Sequence, residues 1–179
     1  MTSEPIPSPS SITENAHNIL LIVDAESIRS RYPDPSLNSE SPTTISDGFV
    51  FFTVGNEAKK IVTNDSKVTL PVDIGRIVHF RVRTVSLIAE HSVVVYGMKV
   101  DTNTVLSDPA LQVHPDLTVP APNPDKPTEP GSKTAHDHFW ACTPKAPGTA
   151  KLELEFMLVN QQCEAVGYFN WTTEVEVTN

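Results

Sequence analysis

The sequence predicts an all-β chain: a single antiparallel β-sandwich of about eight or nine strands, immunoglobulin-like or jelly-roll in topology. Three observations carry this. Apolar and polar residues alternate over Lys151 to Val159 and again over Arg76 to Val85, the period of a strand with one face in a core and the other in water. Short β-branched and aromatic runs recur along the chain, separated by Pro, Gly, Asn and Asp. Only one brief stretch, Glu26 to Arg31, reads as a turn of helix. Periodicity does not choose between the two topologies.

In chain order, residues 1–15 are Ser-, Pro- and Thr-rich with little apolar surface to bury, which predicts a disordered tail before a domain over 16–179. Ile19 to Val23 is continuously apolar, as in a strand that is central or buried on both sides. Tyr32-Pro33-Asp34-Pro35 then opens a polar loop running to Asp47. Gly48 to Val54 and Lys67 to Leu70 are the next strands. Between Arg76 and Val85, one face holds Val78, Phe80, Val82 and Thr84, the other Ile77, His79, Arg81, Arg83 and Val85. In the strand Val93 to Val100, Gly97 marks a bulge or a close backbone approach. Over 107–131 the composition shifts: Pro109, Pro115, Pro120, Pro122, Pro124, Pro127 and Pro130 predict a Pro-rich, polyproline-like connector strapped across the sandwich. His136 to Thr143 is a strand. Lys151 to Val159 and Val166 to Trp171 form a hairpin, and Glu174 to Val177 adds a last edge strand.

Composition excludes several functions. The chain has 179 residues with 39% hydrophobic, and no apolar run approaches the roughly 20 residues that span a bilayer. The N-terminus lacks the basic and apolar regions of a secretory signal, so a cytoplasmic protein is expected, without a membrane partner. A formal charge of −9 argues against nucleic acid. Cys142 and Cys163 match no metal or redox spacing and are read as free thiols.

Five residues are weak candidates for ligand binding. His136 and His138 share a strand face and could grip a metal, but no carboxylate follows at cupin spacing and no histidine occurs later. No metal or other cofactor is assigned, and a solvent-facing strand start is the plainer reading. Asp24 and Glu26 stand where the first strand ends, able to meet a cation or polar ligand; the competing role is a helix cap by Asp24. Trp140 with Tyr168, Phe169 and Trp171 makes a sugar-stacking platform if two face outward, and ordinary core aromatics otherwise. Cys163 precedes no histidine, which removes a blue-copper site, and neither a G-x-S-x-G elbow nor a Gly-rich phosphate loop occurs. The basic stripe His79, Arg81, Arg83 is expected to pair across strands with Glu153 and Glu155 beside Lys151, the alternative being an anion-binding or self-association surface.

Six blocks in order carry a family resemblance: ILLIVDAESI (19–28), Tyr32-Pro33-Asp34-Pro35-Ser36, VDIGRIVHFRV (72–82), VVVYGM (93–98), HFWACTPKAPGTAKLELEFMLV (138–159) and GYFNW (167–171). Together, over residues 17 to 173, the chain resembles the AidA/PixA family of bacterial inclusion-body and quorum-sensing-associated proteins. The chain's three methionines depart from the methionine-rich composition of the inclusion-forming branch. The resemblance implies a soluble, non-enzymatic protein acting by self-assembly or interaction, with a homo-oligomer as its state. The alternative is a lectin-like module holding a carbohydrate or small molecule through end loops or exposed aromatics.

Overall fold

Leu152, Leu154, Phe156 and Leu158 are all fully buried, while Glu153, Glu155 and Met157 between them are half-buried and Lys151 is exposed. The alternation therefore does what a half-buried strand requires. A computed structural model describes residues 16–46, 48–54, 63–64, 67–71, 74–86 and 90–178. The predicted tail at 1–15 lies outside the described residues. Among the described residues the strands are β1 (His17–Val23), β2 (Thr43–Thr44), β3 (Val50–Val54), β4 (Thr63–Asn64), β5 (Lys67–Pro71), β6 (Val78–Thr84), β7 (Ser92–Val100), β8 (Ala110–Pro122), β9 (Pro130–Cys142), β10 (Gly148–Val159) and β11 (Ala165–Thr178), with one helix, α1 (Ala25–Arg31). Setting aside the two-residue β2 and β4 leaves nine strands of five residues or more.

These form two sheets. One has the order β3-β1-β6-β9-β8; the other runs β4-β5-β11-β10-β7, with β2 also on β11. A single hydrophobic cluster takes Ile19, Leu21, Val78 and Phe80 from the first sheet and Leu154, Phe156, Phe169 and Trp171 from the second. The expectation of a purely antiparallel chain is corrected: β1 runs parallel to β6, and β11 runs parallel to β2 and β5. A period of two reports which face is buried and is silent on the direction of the neighbour.

The hairpin β10–β11 keeps its register from Gly148↔Val177 to Leu158↔Gly167. Asn160 shapes its loop: the side-chain oxygen accepts from Gln162 N (3.0 Å) and Glu164 N (2.9 Å), and Cys163 sits at φ 62°. The separate edge strand expected at Glu174 to Val177 is instead the end of β11, held between β10 and β5. Its polar interruption, Thr172-Thr173, does not break the strand, because Thr173 turns inward and is buried.

The Pro-rich connector expected over 107–131 is also corrected. Most of it is β8 and the turn into β9, a long antiparallel hairpin running from Ala110↔Ala141 to Pro122↔Pro130. β8 is the outermost strand of its sheet. Proline is tolerated there because an edge strand leaves half its backbone nitrogens without a ladder partner. A bulge between His114 and Leu117, with Asp116 at φ 57°, takes up Pro115.

Gly97 and Gly167 both mark close approaches. Opposite Gly97, β7 carries one extra residue against β10, and a Cβ added at 97 would stand 3.1 Å from the Glu155 Cβ. At Gly167 a Cβ would meet Pro35 Cγ at 2.6 Å and Phe169 Cε2 at 2.8 Å. The loop from Tyr32 to Ser46 can thus lie flat on β11, pinned by Tyr168 N to Ser36 O (2.8 Å) and Ile45 N to Asn170 O (2.9 Å).

Candidate functional site

The polar groups worth weighing as a site gather on β9 and on the outer face of β6. Strand alternation sends His136, His138, Trp140 and Cys142 to the core side of β9, and Asp137, Phe139 and Ala141 to the opposite side. On that opposite side, Asp137 Oδ2 accepts from Arg81 Nη2 (2.8 Å) and Nε (3.3 Å), while Arg83 Nη2 stands 3.8 Å from Oδ1. Arg81 also donates to Asn18 Oδ1 (2.6 Å) and lies 4.5 Å over the Phe139 ring. His79 is 3% exposed, with its ring 4.1 Å from that of Phe139, and its Nδ1 has no hydrogen-bond partner among the described residues. Burial, then the Arg81 charge, lowers the His79 pKa, so the imidazole is held neutral.

The expected pairing of this stripe with Glu153 and Glu155 is overturned. β6 and β10 belong to different sheets. Glu155 pairs instead with Lys99 of β7 (2.6 Å), and Glu153 accepts from Asn170 of β11 (3.3 Å). The partner that sequence reasoning missed is Asp137, which stands between His136 and His138.

Of the five candidates, His136 is exposed on the ribbon formed by β8 and β9, and His138 and Trp140 line a cleft with Phe80, Val82, Val93 and Val95. His138 is half-buried, so a wholly solvent-facing strand start is corrected for that residue. Its pKa is lowered by burial and then by Arg83. The cleft leaves about 10 Å³ of internal space, room for a water-sized body and not for a sugar. Phe169 and Trp171 are core residues, and Tyr168 packs edge-on against Tyr96 with 5.7 Å between ring centres. A stacking platform from these four aromatics is not formed.

Asp24 and Glu26 do separate work. Asp24 Oδ1 accepts from Ser27 N (3.1 Å), capping α1. Glu26 Oε1 lies 2.7 Å from His91 Nδ1, and Arg29 Nη1 lies 2.7 Å from His91 Nε2. A guanidinium only donates, so Nε2 accepts and Nδ1 carries the proton given to Glu26. Glu26, Glu90 and His91 are close enough to suit a cation. With both ring nitrogens engaged, however, His91 has no lone pair left for a metal. The network ties the helix to the start of β7.

Cys142 is buried, and that burial pushes its thiol up to about 12; Cys163 is exposed. A thiol-reactive chromophore at neutral pH is therefore expected to titrate one cysteine in the folded protein and two in denaturant. Two fast-reacting thiols in the native state would contradict this burial.

No described helix is long and apolar enough to cross a membrane. The family model described as PixA, inclusion body protein, matches residues 15–177. None of the curated proteins matches the chain. Among solved structures, the crystal structure of an inclusion body protein (PixA) from Burkholderia cenocepacia J2315 is similar, with a TM-score of 0.76 over 92% of this chain and 96% of that one. Identity between them is 18%, so this likeness is one of fold. The family's pattern thus extends through β1 to β11 and past both ends of the six blocks, and the chain belongs to the PixA inclusion body protein family.

Proposed function

We propose that the chain is a non-enzymatic β-sandwich protein that works by self-association inside the bacterial cell, its expression tied to cell density. The observation that carries this reading is the β8–β9 ribbon. β9 pairs with β6 only from Trp140 to Cys142, so the rest of the ribbon extends past its sheet with both faces largely uncovered. Leu111 and Val113 on its core side are 47% and 58% exposed. An extended ribbon with exposed apolar side chains is poorly used in a lone molecule and well suited to contact between molecules. The family's description as inclusion body proteins accords with it. Face-to-face packing of the two sheets is part of the same reading, supported by the one cluster they share.

Light scattering on fractionated protein tests this. The mass is expected to rise above the 19.6 kDa of one chain as concentration increases. A constant 19.6 kDa up to millimolar concentration would overturn the reading.

A further inference from the structure

The two edges of the ribbon differ in chemistry. Pro122 lies directly opposite Pro130. Neither has an N–H, so theirs is a non-hydrogen-bonded pair, with backbone polar groups directed away from the ribbon's midline. That direction alternates residue by residue, so Pro120 also points outward from β8. Across the one-residue bulge at 114–117, so do Pro115, Val113 and Leu111. Prolines thus remove the donors at 115, 120 and 122 from the free edge of β8, a familiar defence against strand addition.

The edge of β9 has no such defence. Its outward groups belong to Ser132, Thr134, His136 and His138, none of them proline. β6 pairs with β9 only at 140–142 and reaches Asp137 through the Arg81 and Arg83 side chains, so among the described residues no strand is paired to the outer edge of 132–136. Ser132, Lys133, Thr134 and His136 are exposed. One ribbon therefore has a blunted edge and an open one.

We propose that the open edge is taken by β9 of a second copy, antiparallel about a two-fold axis at Ala135. This rests on the self-association reading above and names the surface it uses. Charge favours a copy of this chain as the occupant. The protein carries −9 overall, whereas 131–138 holds one Lys and one Asp, with Arg81 and Arg83 of β6 on that Asp, so this edge lacks the acidic excess by which copies repel one another elsewhere. A two-fold at Ala135 sets Lys133 of each copy opposite Asp137 of the other, and Thr134 opposite His136. Asp137 has capacity for this, because Oδ2 takes both Arg81 bonds while Oδ1 has only Arg83 at 3.8 Å. The blunted β8 edge stops the sheet from growing further by this route, so the product is a closed pair.

The test uses the full chain in sedimentation equilibrium, with three substitutions. Thr134→Pro removes an outward donor without disturbing the ladder to β8, since residue 134 also sits in a non-hydrogen-bonded pair. Lys133→Glu places a carboxylate against Asp137 of the other copy. Each is expected to raise the dimer dissociation constant roughly tenfold or more. Ala135→Cys, in a Cys163→Ser background, is expected to form an inter-chain disulfide on oxidation. Wild-type dimers with unchanged dissociation constants in Thr134→Pro and Lys133→Glu, and no cross-link at 135, would overturn this edge and leave self-association standing. A wild-type chain that is monomeric throughout overturns both. If Thr134→Pro fails to fold, Lys133→Glu and the cross-link decide between these outcomes.

Discussion

Replacing Phe156 with alanine is expected to lower the unfolding free energy by about 3–5 kcal/mol, the range for emptying a well-packed aromatic site. Phe156 has no exposed surface and sits on β10, between β11 and β7. It stands directly opposite Phe169 in the register, with 5.6 Å between ring centres and 23° between planes. Both neighbours are strands fixed by their own ladders, so the backbone has little freedom to collapse into the space, and the cavity persists. Met157, the next residue, faces the other way and is half-buried. Its replacement by alanine should cost well under half as much. Urea titrations of the two variants check the contrast, and equal losses would mean that the alternation in β10 does not define the core.

That alternation was the most legible part of the chain. In β10 the side chain at every second position from Ala150 to Leu158 is apolar and burial follows the pattern; β6 follows it too except at His79, which is buried on the outer face. Loop chemistry was legible for the same local reason: Asp24 caps because its oxygen reaches a backbone N–H three residues on. The misread segments share a different cause. The prolines of β8 look like strand breakers until the register places them outward on an edge, and the register comes from β9. Thr172-Thr173 looks like a gap until Glu153 and Leu152 of β10 are seen paired with it. The pairing partner of the basic stripe was misassigned because opposite charge is visible in sequence and sheet membership is not. Long-range strand order decides all three.

The same logic applies to the site residues. His136, Asp137 and His138 attract notice as a triplet, yet strand geometry divides them. Asp137 goes to the outer face with Arg81, and His138 to the cleft with Trp140. Asp24 and Glu26 are also close in sequence and apart in role. Spacing alone identified a shared face for His136 and His138 correctly, but it could not tell that only His138 reaches the part of that face lined by both sheets.

His79 and His138, on opposite faces of their sheet, give the second large effect, a loss of stability on mild acidification. The native pKa of each is lowered, first by burial. Arg81 and His114 add to the lowering at His79 and Arg83 at His138, while Asp137 opposes it at both. In the unfolded chain both return to about 6.5. Below that pH the unfolded state binds protons that the native state refuses, so unfolding becomes more favourable as pH falls. The stabilisation is complete above pH 6.5 and is lost as pH drops through the lowered native values. The slope reaches up to about 1.4 kcal/mol per pH unit for each histidine. Urea midpoints between pH 7.5 and 5.5 should therefore fall steeply, in a window above the ordinary range of carboxylates. His79→Phe removes one titrating ring and its unpartnered Nδ1 while keeping an aromatic surface on Phe139. It should reduce the slope by up to half and leave the chain at least as stable as wild type at pH 5.5. Adding His138→Leu should flatten the profile, and a slope unchanged in the double variant would assign the acid sensitivity to other groups.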